Sequence, residues 1–128
     1  FTKNEFTVRM SDVKNMAAAD YVGIVSENDV PNKLEKTGWH VTKSEFVDAP
    51  LIAELPLALE CKFVSYNEES ELMLAEIVNV SADESVLGED GKIDPSKVEA
   101  ITFDPVHNTY IKLGEKVGNA FSDGKKIK

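Results

Sequence analysis

Residues 57–80 read Leu57-Ala58-Leu59-Glu60-Cys61-Lys62-Phe63-Val64-Ser65-Tyr66-Asn67-Glu68-Glu69-Ser70-Glu71-Leu72-Met73-Leu74-Ala75-Glu76-Ile77-Val78-Asn79-Val80. Leu57, Leu59, Cys61 and Phe63 recur at every second position while Glu60 and Lys62 fall between them, the pattern of a half-buried antiparallel strand with its apolar face toward a core. Asn67 to Ser70 is a polar turn. Leu72 to Val80 carries Leu72, Leu74, Val78 and Val80 on one side and Met73, Ala75 and Ile77 on the other, which predicts a central strand covered on both faces. A long hairpin with one amphipathic arm and one apolar arm suits the wall of a barrel or sandwich, so the fold is expected to be mostly β.

Upstream, Phe6, Val8 and Met10 alternate with polar residues and predict a strand over Glu5 to Met10. A strand at this place needs a partner from later residues or from another molecule, because its backbone groups must be paired. Ser11 or Asp12 then caps a helix whose apolar face is Val13, Met16, Ala17, Tyr21 and Ile24, with Ala17 to Ala19 raising its propensity. Gly23 loosens its end. A polar loop, Ser26 to Asp29, leads to Pro31 and a short second helix that Gly38 stops. Val41 to Val47 reads as a short strand broken by Asp48, Ala49 and Pro50.

Downstream, Ser81 to Pro95 is an acidic excursion, and Asp94 with Pro95 can start one helical turn through Val98. Short strands are expected over Ala100 to Phe103 and Thr109 to Leu113, followed by Gly114 and a basic end, Gly124 to Lys128. No internal repeat is visible.

The 128 residues suit one domain, able to bury roughly two thirds of the surface of the unfolded chain. Fourteen basic against 23 acidic residues give a net charge of -9, which would repel a phosphate backbone and argues against nucleic-acid binding. Val13 to Val25, with Lys14 and Asp20 inside it, is too short and too polar for a transmembrane helix. Cys61 is the single cysteine, so no internal disulfide and no cysteine cage can form, and a reducing, cytoplasmic setting is expected. His40 and His107 are too few and too far apart in sequence for a multi-histidine metal site, and no metal is expected. The acidic cluster of Asp83, Glu84, Glu89, Asp90 and Asp94 lacks the fixed glycine of a calcium loop and reads as solvated surface.

Read in order, Glu5-Phe6-Thr7-Val8-Arg9-Met10, Ala19-Asp20-Tyr21-Val22-Gly23, Val30-Pro31-Asn32-Lys33-Leu34, Leu59-Glu60-Cys61-Lys62, Leu72-Met73-Leu74-Ala75-Glu76-Ile77-Val78 and Tyr110-Ile111-Lys112-Leu113-Gly114-Glu115-Lys116 resemble the flavin reductase-like family. The resemblance runs over nearly the whole chain. It implies an FMN-binding split barrel with Greek-key antiparallel strands, and it matches the later part of the family domain, so the strands that usually come earlier are expected to be missing. It further implies a homodimer with the flavin beside the twofold interface, and NADH or NADPH as co-substrate. No protein nucleophile is then needed, and no catalytic side chain is expected, because the redox chemistry belongs to the flavin.

The same resemblance supplies candidate cofactor-binding residues. Lys33 matches a lysine of the short second helix that contacts phosphate or ring edge; its other reading is a solvated surface lysine. Ser26 matches a serine whose hydroxyl can reach the flavin, although Glu27 stands where the family has glycine. Asp20 and Gly23 match the helix end where the loop bends under the cofactor, against readings as a local hydrogen-bonding carboxylate and a helix terminator. Tyr110 matches an aromatic near the isoalloxazine, against cross-strand packing. Tyr21 and Trp39 read as core, His107 as a polar turn residue and Cys61 as a small buried hydrophobe.

Overall fold

The opening strand finds its partner within the chain. In the computed structural model, which describes residues 4–127, β1 (Glu5–Arg9) pairs antiparallel with β4 (Leu57–Asn67), Glu5 opposite Lys62 and Arg9 opposite Ala58. Phe1 and the basic end's Lys128 lie outside the described residues. On its other edge β4 pairs with β5 (Leu72–Ala82), giving the sheet order β1-β4-β5. The predicted hairpin is present, and Asn67 makes its turn by accepting hydrogen bonds from the backbone of Glu69 and Ser70 at 3.0 and 2.9 Å.

Two expectations about this hairpin are corrected. The central strand is β4, and β5 lies at the edge, with Leu72, Leu74 and Ile77 70%, 61% and 54% exposed. The face of β4 that carries Glu60 is the one covered. Residues opposite one another on antiparallel strands share a face, so Thr7, Arg9, Ala58, Glu60 and Asn79 point the same way. Ala58 is 0% exposed and Glu60 2%. Leu57, Leu59 and Phe63, on the other face, are only half-buried. Cys61, on the opposite face from Glu60, is buried as expected, and the β4–β5 pairing slips beside it, where β5 carries one extra residue, Val78.

The layer over the Glu60 face is a small hairpin that alternation alone did not reveal. β2 (Val41–Lys43) pairs antiparallel with β3 (Pro50–Ile52), Val41 opposite Ile52. The strand expected over 41–47 is therefore shorter, and the Asp48-Ala49-Pro50 break is a turn into a return strand. Ser44 drives the turn: its Oγ accepts hydrogen bonds from the backbone of Phe46 and Val47, both at 3.2 Å, and Val47 and Ala49 tuck into the core. Pro50 is tolerated because β3 has a neighbour on one side only. Thr7 Oγ1 donates to Pro50 O at 2.6 Å and the Arg9 guanidinium donates to Ile52 O, fastening β1 to this layer.

Helix α1 (Met16–Ile24) starts later than the predicted Val13. Asp12 does act as a cap, but for the turn ahead of the helix, accepting from the Asn15 backbone at 2.9 Å and the Asn15 side-chain amide at 2.7 Å. The predicted apolar face is not the buried one: Val13, Met16 and Ile24 are exposed, Tyr21 is half-buried, and Ala19 and Val22 face inward. Pro31 sits in a turn before α2 (Lys33–Lys36), and Gly38, at φ 77°, closes the segment as expected, in a left-handed conformation that suits glycine. Asp94 caps α3 (Pro95–Val98), accepting from Ser96 N at 2.9 Å. The last sheet is the hairpin of β6 (Ile101–Asp104) and β7 (Thr109–Lys112), within a residue of the sequence expectation.

The architecture is mostly β with short helices, built from three open antiparallel sheets among the described residues. Its core gathers Trp39, Val47, Ala49, Leu55, Ala58 and Cys61, with Val86 and Val98 in a second cluster where a 3-10 turn, Glu84–Val86, meets α3. Among the described residues no helix is long and apolar enough to cross a membrane.

Candidate functional site

Four of the five candidate residues lie on or around the C-terminal half of helix α1. Asp20 and Gly23 lie in its last two turns, and Ser26 follows one residue after its extended C-cap, Val25. The last carbonyls of any helix lack intrahelical partners. Here the Lys33 ammonium fills that need, donating to Val22 O and Val25 O, both at 2.9 Å. A cation is the favourable charge at this end of a helix. Ser26 shapes the loop as well, its Oγ accepting from Asn28 N at 3.2 Å.

The fifth candidate comes from the far end of the chain. Tyr110 of β7 reaches across to α1 and donates its phenolic proton to Asp20 Oδ1 at 2.6 Å. That bond holds the phenol above its ordinary pKa, since losing the proton would leave two negative oxygens together. Its ring also packs against Phe103, centroids 5.9 Å apart and tilted by 55°, which is the cross-strand contact that its alternative reading called for. A Cβ on Gly23 would meet nothing within 4 Å, so no close approach to the protein itself requires glycine there.

Two grooves flank this helix, and none of the five residues lines either. One, of about 570 Å³, runs along Lys14, Asn15, Ala17, Ala18 and Tyr21 to Lys36, Trp39 and Glu54. Glu54 accepts from the His40 backbone and contacts His40 Nδ1, and those hydrogen bonds hold its carboxyl below the usual range. The second, of about 440 Å³, lies on the inner side, between α1 and the β1 and β3 strands. Trp39 separates the two: it is core, as expected, and its indole donates to Asn15 Oδ1 at 3.1 Å. His107 is a turn residue, donating from Nδ1 to Asp104 at 2.7 Å.

Sequence reading overlooked Glu60. It sits 2% exposed with its carboxylate accepting from Ser44 Oγ and Asn79 Nδ2, and these donors, Ser44 foremost, hold it ionised below the usual carboxylate range. The available signal was a polar residue directly opposite it in the hairpin register, Asn79, on a strand otherwise apolar around it.

No protein-family model matches the chain. Among solved structures, the flavoredoxin of Desulfovibrio vulgaris (Miyazaki F) is 35% identical, superposes with a TM-score of 0.88 and is aligned over 96% of this chain and 66% of its own. The chain has the split-barrel fold of flavin reductase-like proteins, flavoredoxins among them. A flavoredoxin from Methanosarcina acetivorans is 27% identical with a TM-score of 0.82, over 95% of this chain and 64% of its own. The FMN-binding domain of a flavin reductase-like enzyme from Shewanella baltica, 21% identical with a TM-score of 0.78 over 91% and 64%, shares the fold. The split barrel described here thus spans just under two thirds of the length of these relatives. An uncharacterized protein of Aeropyrum pernix is 33% identical over 66 residues, 52% of this chain and 25% of its own.

Proposed function

We propose that this split barrel binds FMN at the C-terminal end of α1 and works as an NAD(P)H-dependent flavin reductase. The observation that carries the reading is the convergence of Asp20, Gly23, Ser26, Lys33 and Tyr110 on one helix end, in a chain 35% identical to a flavoredoxin along its whole matched length. The residues fit the group. An ammonium has three donors; Lys33 uses two on carbonyls and keeps one for a phosphate oxygen. Ser26 accepts from Asn28 N and retains its own hydroxyl proton as a donor. Tyr110, its hydroxyl tied to Asp20, offers a ring in a fixed orientation. Glu27 and Asp29 are both exposed in the same loop, where solvent screens their charge. When bound, FMN supplies the redox chemistry, with a hydride from NADH or NADPH entering and electrons leaving to an acceptor. The chain's part is to hold the phosphate, orient the ring and keep Asp20 and Tyr110 paired.

A second reading, a flavoredoxin-like electron carrier without nicotinamide turnover, is favoured by the identity to two flavoredoxins. We further propose a homodimer, for which the uncovered apolar face with Val8, Met10, Ile77 and Val80 at 37%, 37%, 54% and 49% exposure supplies material, and a cytoplasmic setting, consistent with a free buried cysteine. The test is a titration with FMN and, in parallel, riboflavin, which has the ring without the phosphate. Lys33→Ala is expected to weaken FMN at least tenfold and to leave riboflavin nearly unchanged; equal loss of both would remove Lys33 from the phosphate site. NAD(P)H oxidation by the flavin-loaded chain separates reductase from carrier.

A further inference from the structure

Residues 113–127 leave the body of the molecule after β7. Leu113 N donates to Ala100 O at 3.1 Å, and among the described residues no hydrogen bond or ion pair from 114–127 reaches back beyond that point. The segment is nonetheless shaped. The Asp123 carboxylate accepts from Asn119 N at 2.9 Å and from Lys126 Nζ at 3.3 Å, and Asp123 N donates to Asn119 O at 3.1 Å, which fixes the stretch ahead of and through a 3-10 turn, Asp123–Lys126. Gly118 lies close under the same carboxylate, where a Cβ would come within 2.8 Å of Asp123 Oδ2. What this arm presents is apolar. Val117, Phe121 and Ile127 are 98%, 96% and 85% exposed, and Phe121 sits at φ 61°, a left-handed conformation that is unfavourable for a bulky residue and persists where the surroundings require it.

We propose that residues 113–127 are an exchange arm that packs Val117 and Phe121 against the uncovered face of the β1-β4-β5 sheet of a second copy of this chain, around Val8, Ile77 and Val80. Ordering a segment costs conformational entropy that contacts must offset; this arm finds almost none on its own body, so they come from another molecule. Charge selects which one. From Leu113 to Lys128 the sequence sets four lysines against Glu115 and Asp123, whereas the rest of the chain has 21 acidic residues against ten basic. A basic arm is thus drawn to the acidic body of another copy, where two bodies alone would repel. The arithmetic of symmetry also closes: in a twofold pair each copy gives one arm and receives one, so both exposed surfaces are covered twice and none is left for a third chain. Residues 113–127 with the apolar residues of the sheet face supply the roughly 20–30 residues a side of a stable interface. The inference rests on the homodimer proposed above and names the segment that closes it.

The experiment is sedimentation equilibrium of the whole chain, with circular dichroism to check the fold of each variant. The parent is expected to dimerise, and Phe121→Asp and Ile77→Lys each to raise the dimer dissociation constant at least tenfold without changing the spectrum, since both side chains are exposed in the single chain. If the two side chains meet, the double variant is expected to lose no more than the stronger single one. Val106→Asp, exposed in the β6–β7 turn, adds the same charge elsewhere and is expected to dimerise like the parent. A dimer that Phe121→Asp leaves intact would overturn the arm while the homodimer stands. Fully additive losses in the double variant would overturn its seat on the sheet. A parent that stays monomeric at millimolar concentration would overturn the homodimer and the arm together, and if that monomer also bound phosphatidylserine vesicles through Phe121, the arm would belong to a membrane surface instead.

Discussion

Replacing Glu60 by Gln should destabilise the chain by about 2 kcal/mol. The side chain is 2% exposed and its two carboxylate oxygens accept from Ser44 Oγ and Asn79 Nδ2. Hydrogen bonds to a charged group are worth about 1.5–3 kcal/mol each, and a buried donor left without a partner costs about 1–3 kcal/mol. The Gln carbonyl can keep one of the two donors. Its amide must then face the other, so roughly one charge-assisted bond is lost. Glu60→Ala removes both acceptors and leaves a void, and is expected to cost about 3–5 kcal/mol. The assay is equilibrium urea unfolding. With a slope of about 1–3 kcal/mol per molar, the Gln variant should unfold at a midpoint lower by about 1 M. The pH dependence gives an independent sign. Because the folded-state pKa of Glu60 is lowered, its contribution is full above the ordinary carboxylate range and disappears as pH falls through the folded value. The difference between parent and Glu60→Gln should therefore be largest near neutral pH and shrink in acid. A Gln variant within about 0.5 kcal/mol of the parent at pH 7, or a difference that grows in acid, would refute the reasoning.

Three further expectations concern the helix end and its neighbours. Lys33→Met, which keeps the aliphatic stem but strips two carbonyls of their donor, should cost about 1–2 kcal/mol in urea unfolding in the absence of any flavin. Of the three tyrosines, Tyr110 should titrate above the ordinary range in an ultraviolet absorbance titration and return toward it in Asp20→Asn, since the Asp20 carboxylate is the main cause of its shift; an unchanged titration in the variant would break that link. Asp94→Ala removes the N-cap of α3 and should lower the thermal midpoint.

Much of the topology was legible from local signals. The 57–80 hairpin, the cap at Asp94, the stop at Gly38 and the last hairpin all follow from alternation and turn chemistry, which act within a few residues. Which face of β4 is covered was not legible, because it depends on β2 and β3, and β3 is three residues long and begins with a proline. Ser44 could have disclosed it only through its reach to Glu60, sixteen residues away. Asp20, Gly23, Ser26 and Lys33 are close in sequence and lie around the C-terminal half of α1, and Tyr110, ninety residues from Asp20, entered the set through the family resemblance alone. Arg9 and Glu60 were invisible as functional or structural centres, since each takes its meaning from partners on another sheet.

The β6–β7 hairpin has a consequence for how the molecule breathes. All of β7 is exposed, and the hairpin is tied to the first helix region by few bonds: Ile101 N to Ser11 O, Val13 N to Glu99 O and Tyr110 to Asp20. Regions with few buried contacts and solvent-facing backbone bonds open locally at little free-energy cost. Amide exchange should accordingly begin in β6 and β7 and reach β4 last, with the end of α1 exchanging in step with the hairpin because Tyr110 rests on it. Any ligand that presses on the Tyr110 ring would slow exchange in both places at once, which makes a pair of distant segments a single reporter of occupancy.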